Sequence, residues 1–171
     1  MEATIEKLLK RNRTTLETEP RLPTGVPAPD FILAASNGER IRLSQYRGRP
    51  VILAFYPQNG TSVCSNQLAL YNEALHLFQE YEAQLLAISV DDLASHQDFS
   101  ETLKLHFPLL ADDNPAGAVA SRYGVLNPGD GKSERALFVI DREGMIFWSE
   151  LSPRGVNPGA HGILQALESF G

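Results

Sequence analysis

Apolar residues in this chain fall into two alternating patterns, short, nearly continuous runs and stripes at three- and four-residue steps. The runs at Val51–Tyr56, Gln84–Val90 and Ala136–Ile140 read as strands buried on both faces. Between the first two, Leu68, Tyr71, Leu75 and Phe78 recur at helical spacing, with Ala74 and Tyr81 extending the same face. Strand, helix and strand therefore predict a right-handed parallel crossover. Further helices are expected over about 94–105, near 116–123 and over about 158–170, the last with Ile163, Leu164, Leu167 and Phe170 facing the core. Two hairpins punctuate the pattern. Phe31–Ala34 and Arg40–Leu43 flank the turn pair Asn37-Gly38, and Asp141–Gly144 turns the third run into Met145–Trp148. Before all of this, Ile5, Leu8 and Leu9 predict a short packing helix that ends before Pro20 and Pro23; a dimerisation arm or docking helix is the functional alternative.

With 171 residues, the chain is long enough for one domain with its own core, and we place that domain at 25–171 with a helical extension over 1–24. Fifteen basic against twenty-one acidic residues give a net charge of −6, and no dense Lys/Arg cluster offsets it. That balance argues against nucleic acid or an anionic membrane as the main partner. A single cysteine excludes an internal disulfide framework, and no secretory segment or bilayer-length apolar run is visible, so a cytoplasmic location is expected.

The candidate chemistry lies in Phe55-Tyr56-Pro57-Gln58-Asn59-Gly60-Thr61-Ser62-Val63-Cys64, where a buried strand ends at Pro57 and the only cysteine enters the first turn of the next helix. The helix-start amides and the positive end of the helix dipole favour a thiolate there, and the thiolate is the nucleophile. Thr61 stands three residues earlier, within reach of the sulfur or of an attacked oxygen once the chain turns. The bland alternative is a buried, inert thiol, which the strand, Pro, Thr and helix-start context disfavours. Elsewhere the bland readings hold. Asp91-Asp92 lacks a third ligand at metal spacing and suits a turn or N-cap. The 127–133 loop has glycines but no phosphate-binding frame. His76, His96, His106 and His161 stand in no triad or metal motif and read as surface or core polar groups. Arg135 is either a loop cation paired with Glu134 or a functional residue.

The spacing Pro57-x-x-x-Thr61-x-x-Cys64 after an apolar strand resembles the active-site signature of the peroxiredoxins, the alkyl hydroperoxide reductase and thiol-specific antioxidant family. Gly25–Phe31 is similar to that family's opening segment, Leu85–Asp91 to its second core strand, and Arg135–Asp141 to its late arginine-bearing strand. The likeness runs from about Gly25 to the C-terminus. Within the family the chain looks most like the bacterioferritin comigratory proteins, although the second cysteine many of them carry five residues after the first is replaced by Ala69. The resemblance implies a thioredoxin fold, a central mixed sheet with helices on both faces and an N-terminal hairpin extension.

It also implies a thiol-dependent peroxidase that needs no metal or organic cofactor. Cys64 would attack a hydroperoxide and become a sulfenic acid. Thr61 would hold the attacked oxygen, Arg135 would reach the sulfur, Pro57 would shield it, and Gln67, one helical turn on, would orient the arginine. Hydrogen peroxide and organic hydroperoxides are the implied substrates. With no second thiol in the chain, the reductant is external: thioredoxin, glutaredoxin or a low-molecular-weight thiol. A homodimer is expected from the resemblance alone. The competing readings are a thiol–disulfide oxidoreductase of the same fold, weakened because its Cys-x-x-Cys is here Thr61-Ser62-Val63-Cys64, and a redox-silent binding or chaperone module.

Overall fold

The computed structural model describes residues 21–170, in which the apolar runs become strands of one seven-stranded sheet. β1 (Ile32–Ala35) and β2 (Arg40–Arg42) form the first hairpin, with the Asn37 Oδ1 accepting from the Glu39 amide inside the turn. β3 (Val51–Phe55), α1 (Ser62–Gln79) and β4 (Gln84–Ser89) make the expected crossover with β3 and β4 parallel. α2 (Leu93–Leu103) then leads to β5 (Leu109–Ala111), parallel to β4, and α3 (Ala118–Arg122) follows. β6 (Arg135–Ile140), β7 (Ile146–Ser152) and α4 (His161–Phe170) close the fold. The strand order is β2-β1-β5-β4-β3-β6-β7, the expected mixed sheet, with β3 parallel to β4 and antiparallel to β6.

The sheet's two faces carry separate apolar layers. Leu53 and Phe55 of β3 point into one with Phe138, Tyr123 and Phe31, while Ile52 and Ala54 point into the other with Leu68, Tyr71 and Phe78 of α1 and Ile163 and Leu167 of α4. All five residues of β3 are buried, which explains its unbroken apolar sequence. α1, α2 and α4 cover the second layer, whereas the first is covered by the short α3 and the segment around Ala28 and Phe31. Each large aliphatic or aromatic side chain buried on α1 contributes about 1.5–3 kcal/mol. The helix is thus held from its middle, and its first turn depends on local contacts.

Three elements differ from the sequence expectation. β5, Leu109–Ala111, is a three-residue strand, too short to show a period of its own. Residues Leu43–Tyr46 form a single 3₁₀ turn, closed by the Arg42 amide donating to Gln45 Oε1 at 3.0 Å. β7 continues to Ser152 because its pairing with β6 extends to Arg135, and as an edge strand it tolerates the polar Ser149 and Glu150 that interrupt its pattern. The expected N-terminal helix lies outside the described residues. Leu22 already docks on the domain, its amide donating to the Tyr123 carbonyl at 3.1 Å. Among the described residues, no helix is long and apolar enough to cross a membrane.

One feature of the topology positions the site. β6 runs antiparallel to β3 with Phe55 opposite Ala136, so the first residue of β6 lies beside the point where the chain leaves β3 for α1. That first residue is Arg135.

Candidate active site

The chain leaves β3 through the buried Pro57 and turns at Gly60, whose φ of 88° belongs to a region that favours glycine. Thr61 follows in extended conformation and caps α1, its Oγ1 accepting from the Cys64 amide at 3.2 Å. This satisfies one of the helix's orphan donors and leaves the remaining first-turn N–H groups near the cysteine. Cys64 is 0 % exposed, the third residue of the helix.

Arg135 reaches it from β6. Its Nη2 donates to Cys64 Sγ at 3.4 Å and its Nη1 to Gln67 Oε1 at 2.7 Å. Nε and Nη2 also donate to the Arg154 carbonyl, at 3.2 and 2.8 Å. The planar fork therefore serves a thiol, an amide and a main-chain oxygen together, which a lysine ammonium could not do. Gln67 is itself fixed, its Nε2 donating to Tyr71 Oη at 3.1 Å while Tyr71 donates to the Gly159 carbonyl at 3.0 Å. Burial raises the Tyr71 hydroxyl's pKa well above the ordinary phenol value, so it stays a donor. Arg135 is 2 % exposed, and among the described residues no carboxylate forms an ion pair with it. Glu134, its bland partner on sequence grounds, instead lies 3.5 Å from Arg154.

Pro57, Gln58, Thr61, Lys132, Arg135 and Arg154 line a cleft of about 250 Å³, together with Val63 and Asp130. Two of these, Thr61 and Arg135, contact Cys64 directly. At the rim Arg154 pairs with Asp130 and holds that carboxyl down to about 2, while Lys132 meets Gln58. All five residues singled out from sequence (Pro57, Thr61, Cys64, Gln67 and Arg135) converge here.

Several residues at the site escape sequence reasoning. The two aspartates after β4 separate: Asp92 caps α2 by accepting from the Ser95 amide at 2.8 Å, whereas Asp91 accepts from the Asn59 amide at 2.8 Å and so holds the active-site loop. His96 is fully buried beside Tyr56 and Asn59, and its burial lowers its pKa despite nearby Asp91, Asp113 and Asp92. Arg154 contributes its carbonyl, a group no side-chain pattern reveals. Among the described residues, no three His, Cys, Asp or Glu side chains group as a metal site.

Residues 24–149 match the AhpC/TSA family. The chain belongs to that family. It is 37 % identical over 135 residues to the alkyl hydroperoxide reductase E of Mycobacterium tuberculosis, covering 78 % of this chain and 88 % of that one. It is 36 % identical over 159 residues to peroxiredoxin tpx1 of Schizosaccharomyces pombe, covering 87 % and 82 %. The crystal structure of peroxidoxin BcpB from Mycobacterium tuberculosis superposes with a TM-score of 0.79 at 28 % identity, covering 88 % of this chain and 99 % of that one. As an AhpC/TSA protein the chain is a peroxiredoxin, a thiol-dependent peroxidase of thioredoxin fold. Its single cysteine is free and buried, and α1 carries Ala69 five residues further on.

Proposed function

We propose that this peroxidase works through Cys64, with Arg135, Thr61 and Pro57 as its catalytic partners and Gln67 orienting Arg135. The observation that carries the reading is the contact between the buried Arg135 guanidinium and Cys64 Sγ. A buried cation is costly unless an anion meets it, and Cys64 as thiolate is the anion within reach. The thiolate attacks the terminal oxygen of a hydroperoxide. An S–O bond forms, the O–O bond breaks, and the sulfur loses two electrons to the peroxide. The transferred oxygen keeps its proton, giving Cys64-SOH, and the departing alkoxide or hydroxide takes a proton from water. Arg135 stabilises the charge that moves along the O–O axis, and the helix-start amides with Thr61 hold the attacked oxygen. Pro57 walls the pocket.

The sulfenic acid has no second thiol in the chain. An external thiol therefore condenses with it, releasing water and leaving a mixed disulfide, and a second thiol attacks the external sulfur of that bond, forming a disulfide with the first thiol and releasing Cys64 as thiolate. Low-molecular-weight thiols, thioredoxin and glutaredoxin all supply that chemistry. The test is a rapid-quench experiment in which reduced protein meets one equivalent of hydrogen peroxide, with the remaining thiol alkylated and counted by intact mass. Arg135→Ala should slow thiol loss by at least about tenfold, equivalent to roughly 1.4 kcal/mol of barrier. An unchanged rate in a folded variant contradicts the assignment.

A further inference from the structure

Beside the active-site loop lies a set of polar groups that the peroxide chemistry does not use. The Asn59 amide donates to Asp91 Oδ2 at 2.8 Å, and Ser89 Oγ donates to the same oxygen at 2.5 Å. His96 Nε2 is 3.4 Å from Ser89 Oγ, and His96 Nδ1 is 3.1 Å from Asn59 Nδ2. Because a side-chain amide nitrogen can only donate, Nδ1 must accept from it and the imidazole proton sits on Nε2, directed at Ser89. The Asn59 Oδ1 is satisfied as well, accepting from Tyr56 Oη at 2.6 Å. The polarities close a ring: Asn59 side chain to His96, His96 to Ser89, Ser89 to Asp91, and Asp91 back to the Asn59 main chain. Ser89 and His96 are buried, and the ring ties the loop after β3 to the end of β4 and the first turn of α2.

Asn59 stands two residues before Thr61, the residue that caps Cys64. Where the ring holds Asn59, it also fixes the start of α1. Yet Cys64 is 0 % exposed, and a reducing thiol must bring its sulfur to within about 2.05 Å of Cys64 Sγ to form the mixed disulfide. Reduction therefore requires the loop and first turn to move, whereas peroxide attack requires them in place. We propose that the ring centred on Asn59 and His96 is the positioning device that holds this loop closed, and that it sets the partition between a peroxide-reactive closed site and an open site where the sulfenic acid meets its reducing thiol. The inference rests on the reading of Cys64 as the peroxide-reactive thiol.

The test separates the two half-reactions in the full-length protein. Sulfenate formation is followed with one equivalent of hydrogen peroxide, and reduction of the preformed sulfenate is followed by the absorbance of 5-thio-2-nitrobenzoate as the thiol. Asn59→Ala removes all three side-chain links, to Tyr56, Ser95 and His96, and disturbs only a half-buried residue; His96→Gln tests the ring from its other side. Each should slow oxidation by about tenfold and accelerate reaction of the sulfenate with the coloured thiol severalfold. General destabilisation is represented by Leu167→Ala in the core face of α4, which leaves the folded state dominant and the loop's local opening untouched, and should change neither rate. Opposite movement of the two rates in Asn59→Ala supports the proposal, and any other pattern in that variant, once its folding is verified by circular dichroism, overturns it. If the wild-type protein forms no trappable sulfenate, the assignment of Cys64 has failed rather than the ring.

Discussion

A guanidinium buried to 2 % exposure, with no carboxylate paired to it among the described residues, is an arrangement that folding alone does not favour. Arg135 gains its place from four hydrogen bonds, three of them to the Arg154 carbonyl and Gln67, which fix the plane of its guanidinium. Arg135→Lys should therefore behave much like Arg135→Ala, because an ammonium cannot span those partners at once; recovery of wild-type thiol oxidation by the lysine variant would show that charge alone suffices. His96 makes a separate prediction. Burial depresses its folded-state pKa below 6.5, against the opposing pull of Asp91, Asp113 and Asp92 and beside the Tyr56 hydroxyl. The unfolded chain thus binds its proton first on acidification. The stability that neutral His96 contributes is complete above about 6.5 and is lost as pH falls from there through the lower folded value. Urea midpoints measured across that window should decline for the wild type and flatten for His96→Gln. Asp130, titrating near 2, lies outside the window.

At the scale of elements, α1 is anchored by Leu68, Tyr71 and Phe78 and terminated at its working end by Thr61. Thr61→Ala should lower stability by about 0.5–2 kcal/mol and slow peroxide attack, while Thr61→Ser, which keeps the capping oxygen, should preserve both. Equal loss in the serine and alanine variants, by denaturant titration and thiol oxidation, would remove the cap from the account. This end of the molecule is legible in sequence because its signals are local: the apolar stripe of α1, the Pro57 stop and the Thr61 to Cys64 spacing all fall within one strand-to-helix transition. Arg135 and Gln67 are legible only through family resemblance, since 68 residues separate them and no periodicity links them. The Asn59 ring is not legible at all. Its bonds join residues 32 and 37 positions apart, and Asp91 and His96 carry no sign in sequence that distinguishes them from an ordinary turn acid and a core histidine. β5, three residues long, hides for a different reason, being fixed by its pairing with β4 and β1 rather than by its own pattern.

The whole molecule places chemistry at one end of a sheet. Parallel β3 and β4 deliver the active-site loop and Asp91 to the same edge, and antiparallel β6 begins there with Arg135, so three strands meet around one thiol. That thiol is alone in the chain. A linked Cys64–Cys64 dimer would require two sulfurs, each 0 % exposed, to leave their helix starts together. The oxidised protein should therefore remain monomeric in covalent terms and hold its oxidising equivalent as a sulfenic acid until an external thiol arrives. The most direct measurement is intact mass with non-reducing electrophoresis after one equivalent of hydrogen peroxide, without reductant, on wild type and on Cys64→Ser. The expected result is a monomer-sized wild-type chain carrying one added oxygen, captured by a sulfenate-specific trap, and no addition to the serine variant. Rapid and near-complete conversion to a Cys64-linked dimer, or the same oxygen adduct in Cys64→Ser, would contradict it.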